Sequence, residues 1–206
     1  MKVEIGYYPE YYYSSQPDAG GFFPFAIEEK PLYVVSIGGF YLPESNPNFD
    51  TNFVLSWMER IKAFPIYFCA EIPSYWKEDY EELCRKWNID YKYLSNNTNL
   101  SISVTEIKNA NEFREIFPIF ISIGSCNDLV TWSTNKNIFR VEERQWKGDW
   151  EGEAVVVKID EEVSVFWIGY DSDYIVSLSN NTKFSNHKTI CETLPPFVNP
   201  TICDFK

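Results

Sequence analysis

Carboxylates are the commonest chemistry-bearing side chains in this sequence. Glu142, Glu143, Asp149, Glu151 and Glu153 crowd around Trp146 and Trp150, while Asp160, Glu161, Glu162, Asp171 and Asp173 fill two short polar segments further on. Carboxylates in pairs can move protons for a substrate or hold a divalent cation. Either task needs a defined pattern. No Asp-x-Asp-x-Asp-Gly loop is present, and Val156-Val157-Lys158 lacks the acid that a nuclease strand would carry before its lysine. The acids at 160–162 and 171–173 therefore read as solvated turn residues.

Nucleophiles and metal ligands are as sparsely equipped. The one histidine, His187, precedes Cys191 by four residues, with Cys203 beyond several prolines. A zinc site would need further convergent ligands, and a Cys-His pair would need an orienting group and an oxyanion hole. Gly124-Ser125-Cys126 is not a nucleophile elbow. The Gly38-Gly39 pair belongs to neither phosphate-binding glycine pattern. The expectation is a chain without a catalytic residue, a metal or a cofactor.

Binding chemistry has better candidates. From Glu142 to Glu153 the chain reads Glu-Glu-Arg-Gln-Trp-Lys-Gly-Asp-Trp-Glu-Gly-Glu. Tryptophan, tyrosine and arginine dominate binding hot spots, because a large ring contributes contact area with a polar tip. Trp146, Asp149, Trp150 and Glu151 are thus expected to contact a partner. Tyr11, Tyr12 and Tyr13, beside a loop rich in Ser, Pro and Gly, form a second expected patch.

The elements that would carry these residues follow from periodicity. Leu32–Ile37 reads as a buried strand, and 51–63 as a helix with Phe53, Trp57 and Ile61 on one stripe, capped by Asp50 or Thr51 and stopped by Pro65. Ile66–Ile72, a helix opened by a Ser74 cap, and Tyr91–Leu94 make a strand–helix–strand unit of co-directional strands. Trp76, Tyr80, Leu83 and Trp87 recur at helical spacing in that helix. Leu100–Thr105 alternates as a strand. A short helix over 109–117 is expected to end at Pro118, with a strand over 119–123. After Gly124 the pattern changes to segments near 129–132, 138–141, 154–159, 163–168 and 174–178 with short connections, an antiparallel meander. The tail after Cys191, with three prolines, reads as extended. The fold class is α+β: an α/β half to about residue 125 with a βαβ unit, then a β-rich half from 126, in one continuous domain over 1–206.

The formal net charge is −12. A strongly acidic chain lacks the basic footprint that nucleic acids or anionic membranes require, and attracts basic partners. No apolar run is long enough to span a bilayer, and the first residues lack a secretory signal core. With five cysteines, an odd number lacking C-x-x-C spacing, the expected location is the cytoplasm. Abundant Asn, Ile, Lys, Tyr and Phe with scarce Ala point to an AT-rich bacterial or phage genome. The composition, and nothing more specific, resembles that of small acidic prophage-encoded or toxin-immunity proteins. The leading expectation is a non-enzymatic protein that neutralises or regulates a basic protein partner, as an immunity protein, antitoxin-like inhibitor or phage counter-defence factor. The alternative is an enzyme or small-ligand binder. Its site would lie at the carboxyl ends of the α/β-half strands, near Glu71, Ser74, Ser95 and Ser125. Homodimerisation through a meander edge strand is a further expectation.

Overall fold

Short runs rich in β-branched and aromatic residues give this chain its strands and three-to-four spacing gives its helices. The computed structural model describes residues 1–10, 23–39, 49–145, 151–160 and 162–203. In chain order the elements are β1 (Lys2–Tyr7), β2 (Ala26–Glu28), β3 (Tyr33–Gly38), α1 (Phe49–Arg60), β4 (Ile66–Pro73), α2 (Ser74–Trp87), β5 (Asp90–Asn96) and β6 (Leu100–Ile107). They continue as α3 (Ala110–Ser125), β7 (Val130–Ser133), β8 (Phe139–Gln145), β9 (Glu151–Lys158), β10 (Ser164–Ile168), β11 (Tyr174–Ser179), α4 (His187–Thr193) and β12 (Asn199–Ile202).

The architecture is α+β. Nine strands form one sheet in the order β12-β1-β3-β11-β10-β7-β4-β6-β5, and β2-β9-β8 form a second. Helices cover one face of the large sheet and the small sheet covers part of the other, because its strands are apolar on both sides. Along β4, Phe68, Ala70 and Ile72 enter the core beneath the helices, while Cys69 enters the core beneath the small sheet. An aromatic run anchors the helical side. Phe68 stacks on Phe120 at 4.6 Å and on Trp132 at 5.2 Å, Trp132 stacks on Phe166 at 5.4 Å, and Trp57 meets Phe166 edge-on at 5.2 Å. Such ring pairs add about 0.5–1.5 kcal/mol each beyond the area they bury.

The strand–helix–strand unit is present, and its two strands run in one direction. They are not neighbours: β6 lies between β4 and β5 and pairs antiparallel with both. The antiparallel meander β7-β10-β11 is present, with β8 and β9 diverted into the small sheet. Strands from before and after residue 125 interleave, with β11 pairing β3 and β7 pairing β4.

Several local expectations are corrected. No strand forms over 119–123, because α3 continues through Pro118 to Ser125. Phe113, Ile116, Phe117, Phe120, Ile123 and Gly124 are all buried on its inner face. That periodicity outweighs the single backbone bond that proline cannot donate, and Pro118 itself is on the exposed side. Ser74 makes no side-chain cap; Pro73 occupies the cap position, and the Ser74 amide instead donates to the Asn99 carbonyl at 3.0 Å. Helix α1 begins at Phe49, ahead of the expected cap residues. The tail does more than lie on the body. Asn186 and Thr189 form a capping box that starts α4, and β12 pairs parallel with β1 at the sheet edge.

Candidate functional site

Four places could carry function. The first is the tryptophan segment. Trp146, Asp149 and Trp150 lie outside the described residues, as do Tyr11, Tyr12 and Tyr13. Glu151 opens β9 opposite Gln145, and its side chain is also outside them.

The second is the carboxyl end of β4. Glu71 is partly buried, and its carboxylate accepts the Leu129 amide at 2.9 Å while its own amide donates to the Leu129 carbonyl at 2.8 Å. Burial pushes the Glu71 carboxyl up, the Leu129 bond opposes this, and the nearby Asp128 charge adds to it. Burial also pushes Asp128 up, and the exposed Tyr75 hydroxyl donates to it at 3.5 Å. Ser125 lies at the same end, bonded to Ser172 at 3.0 Å. Ser74, exposed, is the first residue of α2. Ser95 turns elsewhere: its hydroxyl donates to Glu153, which also accepts from Asn97 at 2.9 Å, so it ties β5 to the small sheet. Of the four residues expected around one crevice, Glu71, Ser74 and Ser125 gather near the start of α2 and the end of α3, and Ser95 does not join them.

The third is the histidine–thiol pair. Cys191 Sγ lies 3.7 Å from both ring nitrogens of His187, one turn apart on α4. Burial raises the Cys191 thiol, opposite to the shift that makes a nucleophile. The Tyr7 hydroxyl beside it is buried without a hydrogen-bond partner, and burial followed by the Cys191 charge pushes it up to about 12. Among the described residues, no group of three or more His, Cys, Asp or Glu is placed to hold a metal.

The fourth place is a groove between α2 and α3. Helix α2 returns between the co-directional β4 and β5, and α3 joins β6 to β7, which run the opposite way; the two helices are therefore antiparallel neighbours. Between them lies an open-sided groove of about 420 Å³, lined by Trp76, Asp79, Glu82, Leu83, Lys86, Pro118, Ile119 and Ser122. Trp76, Leu83, Pro118 and Ile119 make an apolar floor. Asp79 and Glu82 are exposed, and neither has an ion-pair partner among the described residues. Lys86, in the same lining, forms no ion pair with either, and its ammonium lies 5.6 Å from the Trp87 ring centre. The Trp76 indole nitrogen is buried without an acceptor. An indole N–H so placed forfeits about 1–3 kcal/mol.

The sequence held a signal for this groove. The apolar positions of α2 span a wider arc than the sheet can cover: Tyr80 and Cys84 are buried, whereas Trp76 and Leu83 stay half-buried and Trp87 is exposed. An arc that wide on an acidic helix leaves apolar surface for a neighbour. No helix among the described residues is long and apolar enough to cross a membrane. Comparisons with protein-family models, with curated proteins and with solved structures give no match.

Proposed function

We propose that this chain is a non-enzymatic binding protein that neutralises or regulates a basic protein partner, docking it on the face formed by α2 and α3. The observation that carries this reading is the open groove whose apolar floor is flanked by Asp79 and Glu82, both without counter-ions among the described residues. The formal net charge of −12 extends the same sign over the molecule and would speed encounter with a cationic surface. An immunity protein, an antitoxin-like inhibitor and a phage counter-defence factor are concrete forms of this role. Trp146, Asp149, Trp150, Glu151 and Tyr11–Tyr13 are proposed as a second contact region.

A photo-crosslinking residue in place of Glu82 or Ser122, in the living source cell, tests the reading. We expect both positions to trap the same basic protein and Lys188, exposed on α4, to trap none. The trapped protein, purified, should bind the chain directly, and reversing Asp79 and Glu82 to lysine should weaken that binding. If Trp146→Ala with Trp150→Ala weakens it and the charge reversals do not, the tryptophan segment is the contact and the helical face is not.

A second reading places small-molecule chemistry at Glu71, Asp128 and Tyr75. The observation in its favour is that Glu71 and Asp128 flank the Leu129 amide at the end of β4, with the Tyr75 hydroxyl bonded to Asp128, and burial raises both carboxyls. Turnover of a substrate that Glu71→Gln abolishes would establish it in place of the docking role.

A further inference from the structure

The groove between α2 and α3 has a shape and a charge that together define its occupant. Resting on the docking role proposed above, we infer that it receives a basic amphipathic helix of the partner protein.

Shape argues first. Small-molecule sites enclose about 70–90% of their ligand, and this groove is open along one side. Its lining runs from Trp76 to Lys86 along α2, about 15 Å at 1.5 Å per residue, and from Pro118 to Ser122 along α3, about 6 Å. An elongated occupant matches that geometry.

Backbone chemistry then selects a helix over a strand. An extended peptide needs unpaired amides and carbonyls along a sheet edge. The ends of the large sheet are β5 and β12, while α2 and α3 satisfy their backbone groups internally. A helix brings its own hydrogen bonds and can bury an apolar stripe against Trp76, Leu83, Pro118 and Ile119.

Charge sets the flanks. Asp79 and Glu82 stand at the rim, and Glu78 lies one turn before Glu82 on the same exposed side of α2. Lysine or arginine beside the occupant's apolar stripe would pair with them.

The test uses the full chain with ¹⁵N-labelled tryptophan, the Trp76 indole signal being identified by its loss in Trp76→Phe. The probe is a Leu/Lys peptide of about five turns, roughly 18 residues at 3.6 per turn, with leucines on one face. Controls are its scrambled isomer, its Leu/Glu counterpart and a proline-interrupted version that cannot form a helix. We expect saturable binding of the amphipathic basic peptide alone, with a shift of the Trp76 indole. Asp79→Lys with Glu82→Lys should weaken that binding about tenfold, as expected for two rim charges, while the thermal melt stays unchanged. Equal binding by the scrambled peptide, or binding that leaves the Trp76 indole in place, overturns the inference. If the proline-interrupted peptide shifts Trp76 as strongly, the helical occupant is wrong and the docking face stands. Silence of Trp76 toward every peptide overturns the helical occupant too, and crosslinking from Glu82 then decides the docking face separately.

Discussion

Tyr80 shows how much one buried side chain settles. Its hydroxyl lies 2.6 Å from Ser103 Oγ and 2.7 Å from Thr105 Oγ1, so it pins α2 to β6 within an otherwise apolar core. Tyr80→Phe removes both contacts, leaving Ser103 its weaker bond to the Lys92 carbonyl at 3.4 Å, and we expect a loss of about 1–3 kcal/mol in urea unfolding; an unchanged midpoint would show that the contacts contribute nothing to stability. Glu71 gives a pH dependence. Its carboxyl is raised in the folded state, so the stability it confers is complete below the unfolded value of about 4.3 and is lost as pH rises through the folded one. Glu71→Gln keeps an acceptor for Leu129 and should match the parent protein near pH 4 and exceed it at pH 7, by chemical unfolding at both. Thiol reactivity should follow exposure and burial: Cys126 is exposed, burial raises Cys191, and burial pushes Cys84 up to about 12 and Cys69 further. Timed alkylation with mass spectrometry should label Cys126 before Cys191, and Cys69 and Cys84 only on unfolding. Cys69 and Cys84 read as buried thiols from their apolar surroundings in the sequence. The Glu71–Leu129 bond was not legible, because it joins residues far apart in the chain.

At the scale of elements, α3 carries the most. It packs against β10 through Gly124, where an added methyl would sit 2.8 Å from Ile168 Cγ2. Gly124→Ala should therefore cost about 1–3 kcal/mol by overpacking, measured by thermal or urea unfolding, although alanine is the better helix former. A variant as stable as the parent would show that α3 and β10 can separate freely. Most strands were legible as short runs rich in β-branched and aromatic residues. Two kinds of feature were not. The run 119–123 is strand-like by composition, yet it is helical because its buried positions continue the spacing begun at Phe113. Helix α4 is too short for a periodic signal and is specified by the Asn186–Thr189 capping box. The position of β6 between β4 and β5 was also hidden, since strand order depends on tertiary pairing rather than on any one strand's pattern.

For the whole molecule, charge and layering act together. The large sheet is covered by helices on one face and in part by the small sheet on the other, which leaves the outer side of the helical layer to carry the proposed docking face. Acidity was plain in the sequence, and a basic partner is the expectation drawn from it. The proposed docking groove was not legible, because it forms only when α2 and α3, separated in sequence by β5 and β6, lie side by side. The most direct measurement is the association rate between the chain and the protein crosslinked at Glu82, followed against salt concentration. We expect the rate to fall steeply with added salt, and Asp79→Lys with Glu82→Lys to lower it about tenfold at low salt. A rate indifferent both to salt and to these two reversals would contradict docking at the helical face.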